Sequence, residues 1–275
     1  MPPSGTAVVT GAARGLGLAI ATALHRDGWT VLLTDVDGAA VAAAAEPIGG
    51  RSHPLDVRDD AACAAVAALA DRDGPGLALW VNNAGILATG ASWTQDAELR
   101  RRIIEVNTLG AMNGTVAALA VMRPRRRGHV VNVVSLAGLI APPGETVYAA
   151  SKHALIAFSL GTLADLRTAG ERDLHISCLC PDGIWTPMLH DRLDDEDAAV
   201  SFTGTLLRPE RVAVRAARLA RKPRPVVAVP RWRGAQVRLL DAFPGAAMRL
   251  APVMLALGRA GQRRTARRIA AGRWP

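Results

Sequence analysis

The chain has 275 residues, of which 50% are hydrophobic, and it includes 26 glycines and 17 prolines. This length fits one large α/β domain or at most two small ones, and the apolar content is too high for a disordered chain. No apolar run reaches the roughly 18 residues needed to cross a bilayer. Three cysteines cannot form a disulfide framework, and residues 1–5 lack the basic and apolar segments of a secretory signal. We therefore expect a protein of the reducing cytoplasm.

The net charge of +9 is concentrated at the C-terminus. Residues 231–275 contain ten arginines, one acid and no lysine, so their formal charge equals that of the whole chain. Residues 1–230 consequently sum to zero. The basic character belongs to this terminal segment and not to the rest of the chain.

Short apolar runs alternate with longer amphipathic segments, and the runs are near-continuously apolar, as parallel strands buried on both faces are. The predicted strands are Thr6–Thr10, Thr30–Thr34, His53–Val57, Ala78–Asn82, His129–Val134, Leu174–Leu179 and Pro225–Val229. The predicted helices are Leu16–Arg26, Gly38–Ala45, Asp59–Arg72, Asp96–Met122, Val147–Ala169 and Pro209–Arg221. This alternation predicts an α/β fold: a doubly wound parallel sheet of about seven strands with helices on both faces. Ligands of such sheets bind beyond the carboxyl ends of the strands.

A glycine-rich turn, Thr10–Gly17, directly follows the first predicted strand. Its G-x-x-x-G-x-G spacing permits a tight turn and a close approach of the backbone to a pyrophosphate at the start of the next helix. A tight strand-to-helix connection without a ligand is the alternative. The residues that we expect to contact a dinucleotide here are Gly11, Arg14, Gly15, Leu16 and Gly17.

Acidic residues follow the second and third strands. Asp35, eighteen residues beyond Gly17, can accept hydrogen bonds from both adenosine-ribose hydroxyls and would repel a 2′-phosphate, which favours NAD over NADP. Arg14 would attract that phosphate, but it can pair with Asp35 instead. Asp56, next to Val57, can accept from the adenine amino group. For both acids the alternative is a helix N-cap.

Asn82–Gly85, with the sequence Asn-Asn-Ala-Gly, follows the fourth strand. Its composition suits a turn whose backbone faces the cofactor ribose through Asn83, Ala84 and Gly85, although a plain surface turn fits equally well.

The only tyrosine and one of the two lysines, Tyr148 and Lys152, lie four residues apart after the fifth strand, which ends at Ser135. At this spacing their side chains share one helix face. A cation there favours the phenolate and lowers a pKa that is ordinarily near 10. The pair would then serve as a general acid/base for an alcohol or ketone oxygen, and the lysine could also reach a cofactor ribose. An amphipathic helix that carries both residues by chance is the alternative.

With these motifs in this order, residues 5–230 resemble the short-chain dehydrogenase/reductase family, whose fold is Rossmann-like. The resemblance implies an NAD-dependent oxidoreductase that moves a hydride between nicotinamide and a secondary alcohol or ketone. It implies that Tyr148 is the acid/base, that Ser135 positions the substrate oxygen, and that Lys152 lowers the tyrosine pKa and binds the nicotinamide ribose. It assigns Asn107 as a fourth catalytic residue that supports a water relay to the lysine. The residues assigned to the nicotinamide end are Pro181, Ile184 and Thr186.

One departure from the family pattern is Asp182, which stands where a glycine usually follows Pro181. We interpret it as the cap of a turn and not as a contact of the nicotinamide. The expected lining of the substrate end is apolar, which indicates a hydrophobic alcohol or ketone. Its candidates are Trp93, Leu136, Leu139, Ile140, Trp185, Met188 and Leu189.

The resemblance implies residues 1–230 as one dinucleotide-binding and catalytic domain, and leaves 231–275 as a basic, partly apolar helical extension. We expect the extension to be broken at Pro244 and Pro252. Its apolar faces would pack on the protein's own body or on a neighbouring subunit; the alternative is peripheral contact with the inner membrane face through arginines and apolar side chains.

We expect a homo-oligomer that binds neither nucleic acid nor a metal ion. The resemblance implies a homo-dimer or homo-tetramer in which the helices Asp96–Met122 and Val147–Ala169 pack across two-fold axes. The extension lacks the interleaved aromatics of a nucleic-acid reader, and the histidines have no metal-ligand spacing, so neither partner is expected. The alternative function is a non-catalytic NAD-binding module that acts through its basic tail on a membrane surface or a protein partner.

Overall fold

In the computed structural model, which describes residues 5–274, seven parallel strands form a single sheet. The strands are β1 (Thr6–Thr10), β2 (Thr30–Asp35), β3 (Arg51–Pro54), β4 (Leu77–Asn82), β5 (Gly128–Val133), β6 (Leu174–Pro181) and β7 (Val226–Val229). They are hydrogen-bonded in the order β3-β2-β1-β4-β5-β6-β7. The order reverses between β1 and β4, which creates the crevice in which doubly wound sheets bind ligands. The predicted fold class is confirmed.

Ten α-helices accompany the strands in the described part of the chain. They are α1 (Gly15–Arg26), α2 (Gly38–Ala45), α3 (Asp60–Arg72), α4 (Ala97–Ile104), α5 (Gly110–Met122), α6 (Thr146–Thr168), α7 (Pro187–His190), α8 (Pro209–Arg221), α9 (Arg231–Asp241) and α10 (Pro244–Ala270). None of the helices within residues 5–274 has the length and apolar character that crossing a bilayer would require.

The sheet separates two apolar layers because neighbouring residues of a strand point to opposite faces. On one face, Val9 of β1 packs in a cluster with Ile20 of α1 and Val212 of α8. On the other face, Val8 packs in a cluster with Val66 of α3 and Met122 of α5. Helices cover both faces of the sheet, so the carboxyl ends of the strands stay accessible to a ligand.

The predicted bounds of the third strand, His53–Val57, are wrong. The strand lies at Arg51–Pro54, where its residues pair with β2. Leu55 and Val57 are apolar because they are buried beneath α3 after the strand has ended. Their burial in a loop produced the strand-like pattern.

The predicted helix Asp96–Met122 is interrupted. A π-helical turn, Glu105–Leu109, separates α4 from α5. Such bulges widen a helix locally and frequently occur at functional sites, and this one contains Asn107.

The predicted break at Pro252 is also wrong, whereas Pro244 does begin a helix. Helix α10 continues through Pro252, although an internal proline costs about 3 kcal/mol. Tight packing compensates, because a Cβ on Gly258 would lie 2.1 Å from the carbonyl oxygen of Ala199 and one on Gly261 would lie 2.2 Å from that of Phe202. The two glycines let α10 lie directly on the 3₁₀ segment Glu196–Phe202.

Candidate active site

A cleft of about 660 Å³ opens at the carboxyl edge of the sheet. All of the predicted cofactor-binding residues line it, and so do three of the four predicted catalytic residues. These residues are Gly11, Arg14, Gly15, Leu16, Gly17, Asp35, Asp56, Val57, Asn83, Ala84, Gly85, Ser135, Tyr148, Lys152, Pro181, Ile184 and Thr186. The structure therefore brings residues from seven separate stretches of sequence into one cavity.

The glycine-rich turn forms a cradle at one end of the cleft. Gly11 and Gly15 have φ angles of 63° and 60°, which favour glycine because L side chains rarely adopt them. A Cβ on Gly17 would lie 2.1 Å from the carbonyl oxygen of Gly11, so only glycine allows this turn to close. The side-chain amide of Asn83 donates to the carbonyls of Thr10 and Gly11 and fixes the turn against the loop after β4.

Helix α1 starts in this turn without a side-chain cap. Its first backbone N–H groups and the positive end of its dipole are suited to an anion such as a pyrophosphate. The turn and the helix start therefore fit a dinucleotide.

Asp35 faces the cleft and is held by the backbone. Its two carboxylate oxygens accept from the N–H groups of Ala13, at 3.1 Å, and Asp37, at 3.2 Å. The residue that caps α2 is Asp37, whose side chain accepts from Ala40, so the N-cap alternative for Asp35 is wrong. The expected pairing with Arg14 is not found among the ion pairs of residues 5–274, because the backbone already holds this carboxylate.

Asp56 is engaged by its neighbour Arg58. The guanidinium Nη2 lies 2.6 Å from one carboxylate oxygen, and this hydrogen bond lowers the pKa of Asp56. The N-cap of α3 is Asp59, which accepts from Ala62. Asp56 is therefore not a helix cap; it lines the cleft as a carboxylate paired with an arginine.

Asn107 lies behind the cleft and does not line it. It is fully buried in the π-helical turn. Its Oδ1 accepts from the N–H of Ile86 at 2.8 Å, and its Nδ2 donates to the carbonyl of Ile86 at 2.9 Å and to Ser151 Oγ at 3.1 Å. Asn107 thus ties the loop after β4 to helix α6, close to Gly85, where a Cβ would lie 3.2 Å from its Oδ1.

Tyr148 and Lys152 lie on one face of α6, as predicted from their spacing. Lys152 Nζ lies 5.6 Å from the centroid of the tyrosine ring and donates to the carbonyl of Val133 at 3.1 Å. Ser135, which follows β5, accepts from the N–H of Ala137 at 3.1 Å. The three side chains come together at the cleft because the end of β5 lies beside the start of α6.

The expected lowering of the Tyr148 pKa is not found in the protein alone. Burial raises the pKa of Tyr148, and the negative charge of Glu145 acts in the same direction, while the nearby Ser135 acts in the opposite direction. Burial also lowers the pKa of Lys152 to about 8. Both shifts have one cause, since a low dielectric disfavours the charged form of either group.

Asp182 has two partners. Its Oδ1 accepts from the N–H of Gly183 at 3.0 Å, which is the turn cap expected from the sequence. Its Oδ2 lies 2.8 Å from Nε of Arg233 on α9, and the two side chains are only 10% and 11% exposed. Sequence reasoning missed this ion pair, although an unusual acid after β6 and an excess of arginines in the extension were its two visible signals.

Glu145 is a second residue that sequence reasoning missed. It lines the cleft, is buried, and immediately precedes α6. Ser201 donates a hydrogen bond to it. Burial raises the pKa of Glu145 to about 7. Its position three residues before Tyr148 was the one signal that the sequence offered.

The part of the cleft that was predicted to hold the substrate has a mostly apolar wall, and its residues differ in part from those predicted. Four of the predicted residues line it: Leu136, Ile140, Met188 and Leu189. The other three do not. Trp93 is 86% exposed, Trp185 packs in a cluster with Phe202, and Leu139 packs in a cluster with Leu155. Helix α10 adds Ala247, Met248, Ala251 and Met254 to the lining.

Taken together, the reversal in strand order, the glycine cradle, the backbone-held carboxylate and the Tyr148–Lys152 pair define a class, the dinucleotide-binding α/β proteins. Known proteins narrow the class. The sequence profile of the family described as short chain dehydrogenase matches residues 5–197. The chain belongs to the short-chain dehydrogenase/reductase family of oxidoreductases.

Individual relatives illustrate the breadth of this family. The sex determination protein tasselseed-2 of Zea mays is 37% identical over 192 residues, which are 66% of this chain and 56% of that protein. The cyclopentanol dehydrogenase of Comamonas sp. is 34% identical over 209 residues, 73% of this chain and 81% of the relative. The crystal structure of a short chain dehydrogenase/reductase from Burkholderia phymatum in complex with NAD has a TM-score of 0.77 at 27% identity and covers 86% of this chain and 93% of that one.

Proposed function

We propose that the protein is an NAD-dependent dehydrogenase/ketoreductase that interconverts a hydrophobic secondary alcohol and its ketone. The observation that carries this proposal is the meeting of Tyr148, Lys152 and Ser135 with the glycine cradle in one cleft. The Comamonas relative, named as a cyclopentanol dehydrogenase, and the NAD complex of the Burkholderia relative support the reaction class and the cofactor.

The proposed mechanism divides the work among a few residues. The chemistry that a bound nicotinamide supplies is reversible hydride transfer. Tyr148 takes the proton from the alcohol oxygen, or returns it to the ketone oxygen, as the general acid/base. Ser135 donates a hydrogen bond that holds this oxygen at the phenol. Lys152 would hold the cofactor ribose, and its ammonium group, 5.6 Å from the tyrosine ring centroid, would stabilise the phenolate as it forms. Buried Asn107 positions the start of α6 through its hydrogen bond to Ser151, next to the lysine.

The proposed function is tested by a screen of hydrophobic secondary alcohols with NAD⁺ and NADP⁺ in parallel. We expect formation of reduced cofactor from at least one alcohol of the panel, with NAD⁺ preferred. A purified protein that binds NADH but oxidises no alcohol, and reduces no matching ketone, would contradict the proposal.

The cofactor preference is predicted to depend on Asp35. The carboxylate repels a 2′-phosphate by about 1 to 4 kcal/mol, so NADH should bind more tightly than NADPH. Asp35→Ser should narrow the difference by about tenfold or more, because the repulsion disappears while Arg14 remains available to the phosphate. Fluorescence titration with each reduced cofactor measures both dissociation constants. Asp37→Ser is the matched control, since it removes a neighbouring charge that does not line the cleft and leaves a serine able to cap α2.

We propose a homo-dimer or homo-tetramer built on the two long central helical regions. The exposed apolar side chains Leu109, Val116 and Leu160 support this, because they lie at or on α5 and α6, where a partner would bury them. Two-fold pairing of such faces is the commonest closed assembly. Light scattering at micromolar concentration measures the state, and a monomer would contradict the proposal.

We propose that residues 1–230 form the catalytic domain, that 231–275 form an extension docked on it, and that the protein is cytoplasmic. The unpaired, buried cysteines Cys63, Cys178 and Cys180 fit a reducing compartment.

The extension packs inward through small and polar residues such as Ala247, Gly258 and Thr265. Its outward face is left with exposed apolar side chains: Trp232, Leu239, Phe243, Met248, Leu250, Val253 and Leu257.

For this outward face we propose peripheral contact with an anionic membrane. Its apolar side chains would enter the interface, and the exposed arginines 263, 264, 267 and 268 of α10 would meet the headgroups. Each basic residue near an anionic surface contributes about 1 kcal/mol. Met248 is exposed and also lines the cleft, so an apolar substrate could enter from the bilayer.

Flotation with vesicles tests the membrane contact. We expect the protein to float with vesicles of anionic lipid and to float less as the salt concentration rises. With neutral vesicles it should remain in the bottom fraction. Val253→Asp should weaken flotation because it places a charge on the apolar face. Val214→Asp on α8, an equally exposed valine outside the extension, is the matched control. Equal flotation of all variants, or none with the parent protein, would contradict the proposal.

A further inference from the structure

Glu145 is a buried carboxyl group in the wall of the cleft. It is only 3% exposed, and it lies one helical turn before Tyr148 at the start of α6. The same cleft is also lined by apolar side chains that include Ile140, Met188 and Leu189. Burying a carboxyl group in such surroundings costs free energy unless partners compensate, so this side chain needs hydrogen-bond partners.

The protein supplies only part of that partnership. Ser201 donates a hydrogen bond to Oε1, but the side chain does not cap α6, and residues 5–274 offer Oε2 no hydrogen bond. Arg192 attracts the carboxylate, yet its guanidinium donates to the carbonyls of Met188 and Leu87. No ion pair within 4.0 Å joins it to Glu145.

Groups around Glu145 act on its pKa in opposite directions. Burial raises its pKa to about 7, and the carboxylates of Asp182 and Asp195 act in the same direction, whereas Ser201 and Arg192 act in the opposite direction. Tyr148 is a further titratable neighbour, whose phenolate would oppose a second negative charge. In either protonation state the Glu145 carboxyl retains an oxygen that can accept a hydrogen bond.

We propose that Glu145 is a specificity-determining residue that accepts a hydrogen bond from a second donor, a hydroxyl or an amine, on an otherwise apolar alcohol or ketone. The inference rests on the proposed function, because it assumes that the reacting oxygen meets Tyr148. One helical turn separates the two side chains, which is about 5 Å along the helix axis. The substrate would therefore carry two polar groups on opposite sides of a ring or a few carbons apart.

The test compares three alcohols that share one ring: 1,4-cyclohexanediol, its mono-methyl ether and 4-aminocyclohexanol. A hydrogen bond to a charged group contributes about 1.5–3 kcal/mol. We therefore expect the parent enzyme to prefer the diol, the amine or both over the ether by about 10- to 100-fold in kcat/KM. Glu145→Leu should bring that ratio close to one. Glu145→Gln distinguishes the donors, because it keeps an acceptor for the hydroxyl but loses the charge that attracts an ammonium group.

Glu210→Gln provides the matched control, since Glu210 is an exposed glutamate on α8 and does not line the cleft. Calorimetric titration of the NADH-loaded protein with the same three compounds gives a second readout that needs no turnover and that also works with the milder Gln variant. The proposal is overturned if the parent protein treats the diol, the amine and the ether alike in both readouts. It is also overturned if Glu145→Leu and Glu145→Gln weaken all three compounds by one common factor. Absence of turnover with retained selectivity in binding would instead contradict the proposed function alone.

Discussion

Tyr148→Phe is expected to lower kcat by about 10²–10⁴-fold, which is the usual contribution of one general acid/base group. The substitution removes only the phenolic oxygen and keeps the ring that packs in the cleft. NADH affinity should therefore stay nearly unchanged. Turnover is measured by the absorbance of NADH, and affinity is measured by fluorescence titration, which also shows that the variant is folded.

The two lysines of the chain provide a comparison for the same mechanism. Lys152→Met should impair both turnover and cofactor affinity, because its ammonium group serves the phenolate and the cofactor ribose. Lys222→Met, at the end of α8, should change neither. Full activity of Tyr148→Phe, or equal effects of the two lysine variants, would show that another group transfers the proton.

The sequence was most informative where one residue type has one physical use. Glycines that must adopt positive φ angles identified the cradle, and a single tyrosine four residues before a lysine identified one face of α6. The strand order follows from alternating βα units, because right-handed crossovers leave few arrangements. These features are local in the sequence, and the structure places their residues in the cleft as expected.

Features that depend on packing across the molecule were harder to predict. Leu55 is buried although it lies in a loop. A buried loop can show the same sequence pattern of apolar residues as a buried strand. Pro252 stays inside α10 because Gly258 and Gly261 allow tight packing on a segment some sixty residues away in the sequence. Glu145 is held in the cleft wall by a hydrogen bond from Ser201, which is 56 residues away in the sequence. In each case the deciding contact joins residues far apart in the chain.

The extension therefore contributes to the site. Met248 and Met254 of α10 line the cleft. Arg233 of α9 is paired with Asp182 in the loop after β6, next to the residues predicted to hold the nicotinamide. Asp182 stands where the family usually has glycine, and Arg233 lies in a segment outside the matched residues 5–197. The two residues form one structural unit. This ion pair joins the extension to the loop after β6.

Breaking the buried Asp182–Arg233 pair is expected to destabilise the folded protein strongly. Removing one partner of a buried ion pair costs about 3–5 kcal/mol, because the other charge stays buried without compensation. Arg233→Met should lower the free energy of unfolding by this amount, and it also removes the hydrogen bonds of Arg233 to Thr203 and Gln236. Asp182→Asn should have a similar but smaller effect, since its amide oxygen can still accept from Gly183.

The double variant Asp182→Asn/Arg233→Met should be more stable than the sum of the two single losses, with a coupling free energy of about 0.5–3 kcal/mol. Urea denaturation of the four proteins measures this cycle. The matched control is the pair Arg51–Asp73, which has nearly the same length, 2.9 Å, but has both side chains 42% exposed. Its cycle should give about 0–1 kcal/mol, because water screens an exposed pair. Equal coupling in the two cycles would mean that burial does not strengthen the Asp182–Arg233 pair.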